Sequence, residues 1–224
     1  MRLVIPPGVL KPPSDTYMLA DQLRREVRRD GVSVLDLCSG SGMLAIVAAR
    51  SGARAVTAVD VSRRAVFATW LNAKLNCAAV EVVRGDLFKA VAGRRFDVIV
   101  SNPPYLISAG QQLPRRGAPR AWDAGPNGRL FLDPICAHAH EHLAPDGVLL
   151  LVHSSLCDEQ QTIDDLSSRG YEVEITERRR GPLGKVMHSR AGMLRARGLL
   201  PHGEVEDIVV VRAQLQAHEK RRDG

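Results

Sequence analysis

Seven short apolar runs set the terms on which this chain can fold: residues 32–37, 55–59, 80–83, 96–101, 147–153, 171–177 and 207–212. Each has strand length, and most are β-branched. Stretches with helical signals separate most of them. Ser14 or Asp15 is placed to cap a helix whose apolar positions Leu19, Leu23 and Val27 recur at helical spacing and which ends near Asp30-Gly31. A second apolar helix runs to about Arg50. Ser62 is placed to cap a third, with Val66, Phe67, Trp70, Leu71 and Leu75 assigned to one face. Helices are also predicted around 130–143 and 159–168. Strands alternating with helices in this way predict an α/β fold, a mostly parallel seven-stranded sheet with helices on both faces.

The 224 residues suffice for one well-buried domain, and no Pro/Gly/Ser-rich linker divides the chain. A single domain over 1–224 is therefore expected. Residues 1–30 form an N-terminal segment and helix, the first thirteen irregular or extended. Residues 178–205 form a basic insertion between the last two strands. No apolar run is long enough to span a bilayer, and Pro6 and Pro7 interrupt the N-terminus before a signal-peptide core can form. Cys38, Cys77, Cys136 and Cys157 form no CxxC pair, which argues against a zinc knuckle or disulfide framework and suits the cytoplasm. The net charge of +6 hints at a polyanionic partner. No acid lies between Glu177 and Glu204, and the basic 178–197 segment is the candidate surface for nucleic acid.

Ligands of open α/β sheets bind beyond the carboxyl ends of the strands. Polar residues fall at those ends here: Asp36 and Gly40 after the first strand, Asp60 after the second, Asp86 after the third and Asn102 after the fourth. They are predicted to share one edge. Gly40-Ser41-Gly42 with Ala45 matches a loose dinucleotide pattern, and Asp60 lies where an acid would accept from ribose hydroxyls. A nicotinamide dehydrogenase rests on that pattern alone. Asp36, just before the glycine turn, would repel a pyrophosphate and suits a cofactor with a cationic amino-acid tail such as S-adenosylmethionine. Asp86 is placed to accept from an adenine amino group or to cap a turn.

Asn102-Pro103-Pro104-Tyr105 ends the fourth strand abruptly, since the prolines supply no N–H to a ladder and stiffen the exit. The Asn102 side-chain carbonyl and the Pro103 main-chain carbonyl can each accept one N–H of a planar NH₂ group, with Tyr105 stacked on it. The nitrogen lone pair then turns towards an electrophile. A long polar stretch, 106–128, follows; it holds Arg115, Arg116, Gly117 and Trp122, the last framing a substrate entrance or anchoring the loop. His138 and His142 fall on one helical face, read as solvated rather than metal-binding, and no metal site is expected.

Asp36-x-Cys38-x-Gly40-x-Gly42, Asp60, Gly85-Asp86 and Asn102-Pro103-Pro104-Tyr105 together resemble the class I S-adenosylmethionine-dependent methyltransferases of the HemK family. Pro13-Ser14-Asp15-Thr16-x-x-Leu19 and Ala121-Trp122-x-x-Gly125-x-Asn127-Gly128-Arg129 resemble its short branch, known from archaea and eukaryotes, which lacks an N-terminal helical domain. The resemblance implies a Rossmann-like methyltransferase fold, S-adenosylmethionine as cofactor and S-adenosylhomocysteine as product. It implies cofactor contacts from Thr16, Asp36, Cys38, Gly40, Gly42, Asp60, Asp86, Leu87 and Asn102. Asn102, Pro103 and Tyr105 would be catalytic, with Asn102, Pro104, Tyr105 and Trp122 facing the substrate. The implied acceptor is a protein glutamine amide, as in a peptide-chain release factor, and a small zinc-binding activator subunit is an implied partner. Cys38 departs from the pattern, which has glycine there. Two rivals stay open: methylation of an exocyclic amine of DNA or RNA, and a non-catalytic binding module.

Overall fold

The computed structural model of the chain describes residues 1–29, 31–110, 118–200 and 203–216. Among them, one seven-stranded sheet is formed by β1 (Ser33–Leu37), β2 (Ala55–Asp60), β3 (Glu81–Arg84), β4 (Phe96–Ser101), β5 (Leu143–Ser154), β6 (Tyr171–Pro182) and β7 (Val205–Leu215), in the order β3-β2-β1-β4-β5-β7-β6. The first five are parallel, and β7 inserts antiparallel between β5 and β6. Strand order reverses direction at β1 and β4, where crossovers leave on opposite sides and open a crevice at the carboxyl edge.

The period-two alternation of each strand feeds two cores. Val34, Val98, Val100, Val148 and Leu150 pack with Leu19 and Leu23 of α1 (Ser14–Glu26) and Ala45 and Ala48 of α2 (Met43–Arg50). On the other face, Leu35, Ile99, Leu149 and Leu151 meet Ile135 and Ala139 of α4 (Leu132–His142) and Leu166 of α5 (Glu159–Ser167). The sheet is thus covered on both sides, as expected for an α/β chain.

α3 (Arg63–Leu75), capped by Ser62, is turned differently from the sequence expectation. It buries Ala65, Ala68, Thr69, Asn72 and Ala73, whereas Phe67 and Trp70 are 54% and 48% exposed. The cause is close packing: a Cβ on Gly42 would lie 2.7 Å from Thr69 Cγ2, so only small side chains fit on this face. Asn72 is needed there as well, donating to Ser41 O and pairing with both main-chain groups of Val4. Asn76 does the same for Arg2, so the first residues lie extended along α3.

Two other boundaries move. Neither Ser14 nor Asp15 caps α1; Pro13 occupies that position, and the side chains of Ser14 and Asp15 are bonded elsewhere. β6 continues through Arg178, Arg179 and Arg180 to Pro182, and β7 starts at Val205, so the intervening segment is 183–204. Arginines suit this strand because it is the sheet's edge, where charge discourages pairing with another chain. The 183–204 segment holds α6 (Lys185–His188) and α7 (Ala191–Ala196), whose Met187 and Leu194 form a third apolar cluster with Ile107, Leu183 and Leu200.

Candidate active site

The parallel register aligns Asp36 with Val100 and Asp60 with Arg84, so β1, β2, β3 and β4 end together. Asp36, Asp60 and Asp86 all lie close enough to Cys38 to act on its thiol electrostatically. The predicted co-location of the strand-end residues on one edge is what the fold gives.

Asp36 is the most constrained of them. It is 1% exposed, Oδ2 accepts from Ala45 N at 3.0 Å, and Oδ1 has no partner among the described residues. Burial, with a contribution from Asp60, pushes its carboxyl up to about 8. A buried carboxylate oxygen without a partner is expensive unless a cation or donor completes it. The cationic amino-acid end of S-adenosylmethionine has the chemistry that is lacking, so the residues fit that group.

The turn after β1 takes positive φ at Cys38 (58°), Gly40 (56°) and Gly42 (79°). Cys38 adopts the backbone conformation a glycine would, at a cost of about 1–2 kcal/mol. Its thiol is half-buried, and burial together with the three nearby carboxylates raises its pKa well above the usual range, so it stays a neutral thiol. A Cβ on Gly40 would meet Cys38 O at 3.9 Å, an ordinary contact, whereas Gly42 is hemmed in by α3. Gly42 therefore serves helix packing. Asp60 accepts from Gly40 N at 2.9 Å and Ser62 N at 2.8 Å, which aims the carboxylate across the turn. Asp86 is more exposed and pairs with Lys89, while Leu87 holds a positive φ of 43°, unusual for a large side chain.

At the exit of β4, Asn102 Nδ2 donates to Thr16 Oγ1 at 2.8 Å. That bond orients the amide and leaves Oδ1 as an acceptor. Tyr105 is held at both ends. Its hydroxyl donates to Asp15, and its main-chain carbonyl accepts from the Cys157 thiol at 3.0 Å. Burial first, then Asp15, raises the Tyr105 pKa well above the ordinary phenol value. Asp15 is buried and also accepts from Thr16 N. Sequence reasoning assigned Thr16 to the site but gave Asp15 only the role of a candidate helix cap.

A second missed element lies beneath the clamp. Arg129 is 1% exposed and donates to Cys157 O, Asp158 O and Thr162 Oγ1 at 2.7–2.9 Å, and to Asp133 and Asp165. It fixes the 3-10 turn Ser155–Cys157 that carries the thiol. A Cβ on Gly128 would lie 2.5 Å from Tyr105 O and 2.6 Å from Cys157 Sγ, so glycine is required for this close approach. The Gly128-Arg129 pair was visible in the sequence only as part of a motif.

The stretch after Tyr105 is pinned by main-chain bonds, Leu106 N to Trp122 O at 2.8 Å and Ala124 N to Leu106 O at 2.9 Å. Trp122 thus anchors the loop through its backbone, while its buried indole Nε1 has no partner among the described residues. Residues 111–117, with Arg115 and Arg116, lie outside the described residues. The basic segment is largely spent on internal bonds. Arg178 pairs with Glu159 and Asp207, Arg190 with Asp123, and Arg195 with Glu204. Arg197 donates to Ser108 O and Pro126 O. Of the two histidines expected on a solvated face, His138 is exposed and pairs with Glu141, but His142 is buried, stacked on Phe88 with ring centroids 4.7 Å apart.

The strand order, the acid-lined carboxyl edge and the Asn-Pro-Pro-Tyr exit define a Rossmann-like class I methyltransferase. Residues 13–115 match the Methyltransferase small domain family. A putative protein N5-glutamine methyltransferase from Methanocaldococcus jannaschii is 34% identical over 84% of this chain and 93% of its own length. Mouse Methyltransferase HEMK2 is 30% identical over 73% of this chain and 80% of its own. The chain belongs to the HemK family of S-adenosylmethionine-dependent methyltransferases. In fold it resembles the E. cuniculi Mtq2 of an Mtq2–Trm112 complex responsible for methylation of the eRF1 termination factor, with a TM-score of 0.64 over 93% of this chain and 99% of that one, at 21% identity.

Proposed function

We propose that this methyltransferase acts on the side-chain amide nitrogen of glutamine in a protein, with a peptide-chain release factor as the acceptor. The observation that carries the reading is the Asn102–Thr16 bond, which presents the Asn102 carbonyl oxygen at the end of β4 beside the acid-lined edge. An amide nitrogen is a poor nucleophile because its lone pair is delocalised. Asn102 Oδ1 and the Pro103 carbonyl would each accept one N–H, and Tyr105 would stack on the amide plane, so the lone pair faces away from both acceptors. S-adenosylmethionine, when bound, supplies a methyl group activated by the adjacent sulfonium charge. Asp36 would hold its cationic tail, Asp60 its ribose and Asp86 its adenine amino group, with Leu87 beside the ring and Thr16 over the site. With the electrophile activated in this way, positioning and exclusion of water supply the rate, and no general base is called for.

The names of the relatives support a protein acceptor. The nucleic-acid reading draws on the basic segment, whose Arg178, Arg190, Arg195 and Arg197 are already engaged in the protein's own bonds. A small activator subunit would find an apolar landing place at the exposed Phe67 and Trp70 rings, 6.0 Å apart. The reading places the enzyme in the cytoplasm; no helix among the described residues is long and apolar enough to cross a membrane.

Labelled S-adenosylmethionine incubated with the chain and a cell extract, followed by protease or nuclease digestion, tests the acceptor class. Protease-sensitive label that mass spectrometry places on glutamine supports the proposal; nuclease-sensitive label rejects it. Asn102→Ala should abolish transfer while S-adenosylhomocysteine affinity changes by less than a few fold.

A further inference from the structure

Asn72 of α3 is fully buried, and both polar atoms of its side chain are engaged. Nδ2 donates to Ser41 O at 2.9 Å and to Val4 O at 3.0 Å, while Oδ1 accepts from Val4 N at 2.7 Å. Nearby on the same buried face, Thr69 Oγ1 donates to Gly40 O at 3.2 Å. The carbonyls of Gly40 and Ser41 are thus both tied to α3, and that helix sets the orientation of the glycine turn.

The same side chain seats the N-terminal segment. Val4 is held through both of its main-chain groups by Asn72, and Arg2 likewise by Asn76. Pro6-Pro7-Gly8-Val9 then turns the chain, with Val9 N bonded to Pro6 O at 3.0 Å and Gly8 at φ 86°, a conformation that glycine supplies at the third position of such a turn. Arg64, in the first turn of α3, donates to Pro7 O at 3.0 Å. The segment therefore follows α3 from its end to its start and arrives at the carboxyl edge of the sheet. It enters α1 at that edge as well, since Asp15 and Thr16 bond Tyr105 and Asn102 at the exit of β4. α2 packs against both α1 and α3, so residues 9–13 bridge the end of α2 at which the glycine turn sits.

A strap seated on α3 and a turn held by α3 share one side chain. When Val4 lifts away, Asn72 Oδ1 loses its donor and Nδ2 loses one of its two acceptors. An amide left half-paired in a buried site is costly, and rotating it towards new partners releases Ser41 O.

We propose that Asn72 is a positioning residue for the methyl donor, through which the seating of the N-terminal strap sets the affinity of the glycine turn for S-adenosylmethionine. The proposal rests on the turn being the cradle of the cofactor, as argued above. Coupling of this kind is reciprocal: the factor by which the seated strap raises cofactor affinity is the factor by which bound cofactor favours the seated strap.

The test uses the full chain with S-adenosylhomocysteine as the probe. Val4→Pro removes the N–H that Asn72 accepts and leaves α3 and the glycine turn unaltered in sequence. It should weaken S-adenosylhomocysteine binding about tenfold in calorimetric titration, the scale of one well-placed hydrogen bond. In the wild-type chain, saturation with the same probe should slow hydrogen exchange of the Val4 amide by a factor of the same order. A strap that only stabilises the fold would lower the melting temperature of Val4→Pro and move neither reading. Affinity of Val4→Pro within about twofold of wild type, or no added protection at Val4, would therefore overturn the coupling. Asp60→Ala tests the cradle separately. Weakened binding in Asp60→Ala beside wild-type affinity in Val4→Pro would reject the role of Asn72 alone, whereas full affinity in Asp60→Ala would reject the cradle and the coupling with it.

Discussion

The Tyr105 hydroxyl donates its hydrogen bond to the Asp15 carboxylate, ninety residues earlier in the chain. This bond joins the first turn of α1 to the exit of β4, and with Asn102–Thr16 it makes the helix start a wall of the proposed acceptor site. Asp15→Ala frees the ring and should lower kcat about 100-fold, the scale of a misplacement near 1 Å, with cofactor affinity unchanged. Asp15→Asn keeps an acceptor and should retain most of the activity. Steady-state kinetics on both variants check this; equal losses would show that the charge, rather than ring placement, matters.

Cys38 occupies a left-handed position with φ 58°. Cys38→Gly removes a cost of about 1–2 kcal/mol but adds unfolded-state entropy of about 0.5–1 kcal/mol. The net expectation is stabilisation of about 0.5–1 kcal/mol, or a rise of about 1–4 °C in melting temperature for a chain of this size. Calorimetry checks it. A lower melting temperature would mean that the thiol's contacts outweigh the strain.

The strand ends were legible because each polar residue there interrupts an apolar run: Asp36, Asp60 and Asn102 stand out against Leu35, Val59 and Val100. Tertiary demands hid the rest. Periodicity assigned the largest apolar side chains of α3 to its core face, yet the close approach at Gly42 admits only small ones, and Phe67 and Trp70 turn outward. Arg178, Arg179 and Arg180 read as the start of a basic insertion because nothing local tells an edge strand from a loop. Arg129 reads as a surface residue until the turn it fills is known, since its partners Cys157, Asp158 and Thr162 are about thirty residues away.

Asp36 makes folding and binding depend on pH in opposite directions. Its carboxyl titrates near 8 in the folded chain against 3.8 when unperturbed. Between those values the folded state holds a proton that the unfolded state has released, so the contribution of Asp36 to stability falls as pH rises from about 4 to 8. A cationic cofactor tail needs the ionised form, so affinity should rise over the approach to pH 8 and then level off. Asp36→Asn should flatten both profiles, raising the melting temperature more at pH 8 than at pH 5 and weakening S-adenosylmethionine binding. Thermal melts and binding titrations at the two pH values check this, and an unchanged pH dependence in the variant would assign it to another group.

Arg129 supports Tyr105 indirectly, through the turn that carries Cys157. Its guanidinium serves two main-chain carbonyls, Thr162 and two carboxylates that are themselves part-exposed, Asp133 at 46% and Asp165 at 35%. Arg129→Met keeps much of the volume but leaves buried carbonyls without donors, and loss of one partner in a buried network costs about 3–5 kcal/mol. Arg129→Lys restores the charge but not the planar fork that reaches several acceptors at once, and should recover less than half of that loss. Urea denaturation of the two variants measures the difference. The Lys variant should also show a lower kcat at unchanged cofactor affinity, because the turn that bears Cys157 would no longer hold the Tyr105 carbonyl in place. Full activity in a destabilised Lys variant would separate the stability of the turn from the placement of the clamp.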